Sequence, residues 1–454
     1  MIFANSLPRI KAFLRPAGLA ATTTALLVRL VAAFLEHRGR MSASAAAGAI
    51  RSEARHRAQL TRFLARCRWA KDWAVLNACA GLLLEQEARR GGTWVYILDQ
   101  TYVGQQGRLT ENTFSCGNRQ RRPKKGRRYQ KRKLARRSCH GFVMGLLLSP
   151  SGLRIPSCRC YYTEDYCKAT KRAYRTQPEL AAELIGALAV PAGADVVVLG
   201  DTAFEAKGIR AACADRGFGW IVPLNPERVL ATAKPRPKVR RLAEGLSASD
   251  YEAVRLLPGH GATAAQQRAA LCRLGPKTKA RTFWVHAERR AVHNLGDVLL
   301  VFSAKEQPQA GRAVVPQKVL VTDRVSLTAA QVVTWYVLRW QVELFFKELK
   351  GTLGFHQYRF RRFGPVEGWA QACLVAFCYL EWYRARQLGR HGLGAKERAW
   401  WQQQRSYGLC RAVLLRADEQ ELARLLRWSG SRSGLRKLRR SLRRALPLEY
   451  RHAS

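Results

Sequence analysis

The stretch WYVLRWQVELFFKELKG, residues 335–351, decides the fold. It carries Tyr336, Arg339, Glu343 and Lys350 in the pattern Y-x2-R-x3-E-x6-K. At about 100° per residue, an α-helix sets Arg339, Glu343 and Lys350 at roughly −60°, −20° and −40° from Tyr336, within one arc of about 60°. One acid, one aromatic hydroxyl and two cations thus share a stripe. Glu348 falls roughly 120° from Tyr336 on another face, so Glu343 is the selected acid and Glu348 is expected to be replaceable. Thr328-Ala-Ala-Gln331 reads as a capping box opening the helix, and Gly351 as the C′ residue closing it. Val332, Trp335, Leu338, Val342, Phe345, Phe346 and Leu349 supply its buried side. Taken alone, the stripe also fits a solvated surface helix with a few ion pairs.

The rest of the chain narrows the choice. With 454 residues and 47% apolar content, it can hold two or three domains around a large core. A net charge of +47 calls for a polyanionic partner, and nucleic acid is the obvious one. A ribosomal or chromatin-type structural protein would show the same balance. The twelve cysteines form no evenly spaced framework and read as reduced thiols. Cys158, Cys160 and Cys167, with Cys139-His140 upstream, invite comparison with a zinc site, but C-x-C-x6-C matches no common knuckle. The apolar stretch from Ala17 to Phe34 is broken by three threonines and Arg29. It reads as a soluble amphipathic helix, with no membrane span or signal segment. The expected location is the cytoplasm, on DNA.

Residues 20–90 read as helices with apolar faces (Leu60, Phe63 and Leu64; Trp73, Leu76 and Leu82–Leu84) among many arginines. That suits a DNA-binding module, though a merely basic packing domain fits too. At Gly91-Gly92 the texture changes. TWVYILDQT (93–101) reads as a buried strand ending in Asp99, and ADVVVLGD (194–201) as another ending in Asp201. Residues 141–162 read as a hairpin turning at Ser149-Pro150-Ser151-Gly152, and Thr176 caps a helix running to Leu188. A helix to about Asp215 and the short strand 218–224 follow. This alternation predicts an α/β fold with a central sheet covered by helices. Residues 226–322 carry short β-like runs instead, at 251–257, 269–274, 282–286, 298–302 and 317–322, and read as an inserted, mainly β module. Trp284 there is either a core residue or a platform for a base flipped from DNA. A second apolar helix covers 365–387, and the tail from Gly389 is helical and arginine-rich, including LRKLRRSLRRALP (435–447).

The spacing of Tyr336, Arg339, Glu343 and Lys350, with the lead-in KVLVTDRVSLTAAQ (318–331), resembles the YREK signature of DDE transposases of bacterial insertion sequences. GDTAF (200–204) resembles that family's second block, except that the aromatic expected further along falls at Ala206. The resemblance implies a ribonuclease-H-like mixed sheet flanked by helices, with the inserted β module, a helical N-terminal domain and a helical C-terminal tail. The corresponding units are 1–90, 91–225, 226–322, 323–388 and 389–454. It also implies that Asp99, Asp201 and Glu343 are catalytic and hold Mg2+ or Mn2+, two ions in all. Tyr336, Arg339 and Lys350 would contact the transposon end. Hard divalent ions do require oxygen ligands, and two of them can activate a water or 3′ hydroxyl. The expected partners are double-stranded DNA, as transposon ends and target, and a second copy of the chain in a synaptic homodimer. A ribonuclease-H-like nuclease without strand transfer and a non-catalytic DNA-binding protein are the rivals.

Twelve of residues 119–137 are Lys or Arg, with Pro123 and Gly126 to break structure. The run reads as a phosphate-gripping loop, against the alternative of a solvated charge run. Deleting 119–137 should flatten the dependence of DNA affinity on salt concentration in a filter-binding or anisotropy titration; an unchanged slope would place the run away from DNA.

Overall fold

The computed structural model describes most of residues 7–413, leaving out 37–45, 47–53, 67, 89–90, 106–108, 117–136, 233–235, 257–280, 305, 311–313, 315 and 317; beyond 413 only Ser431 and Ser433 are described. The basic run at 119–137 (all but Arg137), the β-like run at 269–274 and the tail segment 435–447 therefore lie outside the described residues.

Helices α1 (Leu7–Leu14), α2 (Ala21–Glu36), α3 (Ala54–Arg66) and α4 (Ala74–Glu87) come first. Four strands follow: β1 (Trp94–Gln105), β2 (Phe114–Cys116), β3 (Arg137–Leu148) and β4 (Arg154–Tyr161). Next come α5 (Glu164–Thr170), α6 (Gln177–Gly186), β5 (Val196–Leu199), α7 (Lys207–Asp215), β6 (Gly219–Pro223) and α8 (Val239–Gly245). The chain continues through β7 (Glu252–Leu256), β8 (Arg281–Val292), β9 (Gly296–Ala304) and β10 (Lys318–Thr322) to α9 (Ala329–Val337), α10 (Trp340–Gly351), α11 (Gly364–Leu388) and α12 (Ala395–Gln403).

Ten strands make one mixed open sheet in the order β2-β3-β1-β5-β6-β10-β9-β8-β7, with β4 also paired to β3. β1, β5 and β6 run parallel, and the remaining pairings are antiparallel. β7, β8 and β9 thus extend the sheet through β10. β5 is buried at all four positions, as expected of a central parallel strand covered on both faces. The β3–β4 hairpin turns where expected, with the Ser149 amide donating to the Leu153 carbonyl and the Gly152 amide to that of Ser149. The Thr176 and Thr328 capping boxes are both present.

Several expectations need correcting. β1 does not end at Asp99 but continues to Gln105, paired along its length with β3. Residues 329–351 are not one helix. Around Leu338 and Arg339, amides bond three residues back instead of four, a tightened turn that separates α9 from α10. Gly351 is the last residue of α10; the left-handed conformation falls at Gly354 (φ 69°). Cys116 and Cys139 are paired as a disulfide between β2 and β3 rather than being free thiols. His140 bonds to the Tyr358 hydroxyl and the Glu111 carbonyl, and no His/Cys cluster suited to zinc occurs among the described residues. Trp284 is half-buried on β8, packed against the core.

α11 runs through the middle of the helical layer. From Pro365 to Arg384 nearly every residue is buried, because α2, α3, α4, β4 and α12 pack around it. Apolar residues all round a helix demand such a position. Among the described residues, no helix is long and apolar enough to cross a membrane.

α10 is fixed from behind by a buried charge network. Arg154 of β4 donates to Glu348 (2.5 Å) and to Glu381 of α11 (2.7 Å). Arg384 also pairs with Glu381, and the Ser406 amide and hydroxyl donate to Glu348 at 2.9 and 2.6 Å. Glu348 is therefore no dispensable surface acid. Its place on the face away from Glu343 matches the wheel, but that face is interior. Arg154→Ala would remove the cation shared by two buried carboxylates and should cost about 3–5 kcal/mol in urea unfolding. Adding Glu348→Gln and Glu381→Gln should recover part of that loss.

Candidate active site

β1 and β5 are paired up to Ile97 and Leu199, and two residues beyond each stand Asp99 and Asp201. Side chains alternate along extended backbone, so the two carboxylates leave the sheet on the same face. Asp201 caps the short 3-10 turn Thr202–Phe204, accepting the Ala203 amide at 2.9 Å. Phe204 is buried against Gly200, where an added Cβ would come within 2.7 Å of the Phe204 Cβ and 3.3 Å of its ring; glycine is needed there for this close approach. Phe204 thus supplies buried aromatic packing in this block, two positions before Ala206.

Arg339, in the tightened turn, connects the helix to this edge. Its guanidinium lies 2.8 Å from Glu343 and 3.5 Å from Asp99. The side chains are 16% (Arg339), 15% (Asp99) and 32% (Glu343) exposed, so the bridge is shielded from water on most sides. Asp99 also accepts the Gln100 amide at 2.7 Å. Burial pushes its carboxyl up to about 6; the charges of Asp201 and Glu343 push the same way, while the Gln100 amide and Arg339 oppose them. Asp99 is therefore within electrostatic reach of both Asp201 and Glu343.

The other stripe residues also surround this edge. Tyr336 is 9% exposed, and burial raises its hydroxyl to about 12, so it stays a neutral hydrogen-bonding group. Lys350 donates to the Thr101 hydroxyl (2.6 Å) and the Tyr102 carbonyl (3.2 Å) of β1, and burial lowers its pKa. Arg339 and Lys350 thus tie both ends of α10 to β1. Lys318, at the start of β10, was not singled out by its sequence. Its ammonium donates to the Tyr336 hydroxyl (3.3 Å) and lies 4.9 Å from the ring centre. Although much of the residue is exposed, its pKa is lowered by burial of the ammonium and by Arg339, with Glu343 and Asp201 opposing. A lone lysine opening an otherwise apolar strand, at the head of the segment leading to the stripe, was the available signal.

The donors suit a hard divalent ion: carboxylate oxygens from three separate elements, partly buried and mutually repelling. Among the described residues, however, no three His, Cys, Asp or Glu side chains approach closely enough to form a ready-made ion site. The Arg339 guanidinium lies between two of the three.

A family model described as a transposase DDE domain matches residues 90–380, more than half the chain, and the protein belongs to that family. No curated protein matches the chain. The family is one of enzymes acting on DNA, generally with divalent metal ions.

Since Asp99 titrates near 6 when folded and near 3.8 otherwise, the folded state binds more protons between these values, and stability falls as pH rises through that window. In EDTA at pH 8, Asp99→Asn should be more stable than the parent by about 1–3 kcal/mol, the gap closing towards pH 4. A constant gap across that range would place the strain elsewhere.

Proposed function

We propose that the chain is the transposase of an insertion-sequence element of the YREK group. It binds terminal inverted repeats, cleaves the ends by metal-dependent hydrolysis and joins the freed 3′ hydroxyls to target DNA. What supports this reading most is the geometry around Asp99: Arg339 pairs with both Asp99 and Glu343, and the β1–β5 register sets Asp201 beside Asp99. The strand order supports a ribonuclease-H-like core: β4, β3 and β1 antiparallel, then β5 and β6 parallel to β1. That arrangement brings the ends of its first and fourth strands together, where Asp99 and Asp201 lie.

Asp99, Asp201 and Glu343 would hold Mg2+ or Mn2+, which when bound lowers the pKa of a water or hydroxyl nucleophile and offsets charge on the leaving oxygen. The chain's own residues do the rest. Arg339 offers a planar fork matched to a phosphate, and Lys318 a compact charge beside it. Tyr336, neutral at physiological pH, orients the Lys318 ammonium and can donate to a backbone oxygen. Lys350 holds α10 at the depth on β1 that sets Glu343 opposite Asp99. The net charge of +47 supplies sequence-independent attraction to DNA. Action on two ends implies a homodimer on DNA.

Glu343→Gln preserves size and removes the charge an ion requires. With DNA from the flanks of its own gene and Mn2+, this variant should lose nicking and joining by at least a hundredfold while retaining end binding, since a carboxylate facing phosphates repels them. Its partial exposure makes misfolding a minor concern, which circular dichroism can check. Normal cutting by Glu343→Gln would sink the assignment. Nicking by the parent without joined products would favour the nuclease.

A further inference from the structure

Arg339 spans Asp99 and Glu343, two of the three acids assigned above to the ion. A guanidinium placed so offsets the repulsion between the two carboxylates and occupies the space where they would otherwise face each other. We propose that Arg339 is an internal stand-in for the divalent ion. It holds the site together without metal, competes with metal for Asp99 and Glu343, and yields when a DNA phosphate takes the guanidinium. This inference rests on the functional reading above and adds a coupling to it: metal and DNA favour each other's binding through one side chain.

Three features make the exchange feasible. The Asp99 contact is long, 3.5 Å against 2.8 Å for Glu343, so one arm of the bridge is weak. Glu343 is the more exposed acid, so the strong arm lies nearer the opening. Arg339 sits in the tightened turn between α9 and α10, where its anchoring does not depend on a regular helix interior. Lys318 provides the contrast: it carries the same charge close by, but its ammonium donates to the Tyr336 hydroxyl rather than to an acid. Loss of Lys318 alters the local potential without freeing a ligand.

The test is Mn2+ affinity of the full chain without DNA, read by calorimetry or by the paramagnetic resonance of free Mn2+. Arg339→Gln should bind Mn2+ about tenfold more tightly than the parent, and Lys318→Gln no more than about twofold. Arg339→Lys, able to reach one acid at a time, should fall between and serves if the glutamine variant does not fold. Asp99→Asn and Glu343→Gln should lose the binding. Duplex DNA from the gene's flanks, after subtraction of Mn2+ held by naked DNA, should tighten binding to the parent about tenfold and to Arg339→Gln hardly at all. If the acid variants lose Mn2+ but Arg339→Gln gains nothing, or gains no more than Lys318→Gln, the stand-in is refuted and the functional reading survives. No tightening by DNA in the parent refutes the hand-over. If the acid variants bind Mn2+ as the parent does, the site reading fails and the stand-in with it.

Discussion

A guanidinium between two carboxylates, each at least two-thirds shielded from water, sets the terms for the rest of this molecule. Three like charges brought to one sheet edge repel one another, and burial removes the water that would screen them. The raised Asp99 carboxyl records that strain. The fold accommodates it with fixed cations: Arg339 in the bridge, Lys318 on the Tyr336 ring and Lys350 against β1. Each comes from a different part of the chain or a different turn of α9–α10. Only a rigid scaffold keeps them from relaxing towards solvent.

That scaffold lies behind α10. Glu348, Arg154, Glu381 and Arg384 form a buried network that joins the helix to β4 and α11. Replacing such a network by apolar side chains often leaves stability unchanged or raises it. Its contribution is directional: carboxylate–guanidinium forks fix the rotation of α10 about its axis more tightly than apolar contacts do. With Glu348 held inward, Glu343 must face the sheet edge. The helix thus has one acid that sets its orientation and one that uses it.

Much of this was legible in the sequence wherever local rules decide the outcome. The capping boxes at Thr176 and Thr328, the hairpin at 149–152, the apolar β5 and the apolar α11 followed from turn chemistry and periodicity. The facing of Glu343 and Glu348 followed from helical geometry even though a tightened turn interrupts the helix. What escaped depends on partners distant in sequence. Asp99 looked like a strand end, because nothing local reveals that β3 pairs with β1 as far as Gln105. Glu348 looked replaceable, because Arg154 lies 194 residues away. Lys318 was passed over, because its meaning comes from Tyr336 across an intervening turn. The strands at 252–304 read as part of an inserted β module; that they join the main sheet through β10, which follows them, is not visible from local sequence.

The parallel register of β1 and β5 carries one more consequence. Ile97 pairs with Leu199, and each aspartate stands two residues further on. In extended backbone, a shift of one residue turns a side chain to the opposite face. Deleting a single residue between Trp94 and Asp99 would keep the strand apolar and the charge count intact, yet point the carboxylate into the opposite layer. Along these few positions, the number of residues matters more than their identity. Conservative apolar exchanges keep that register, whereas a one-codon insertion or deletion would turn the Asp99 carboxylate away from Asp201.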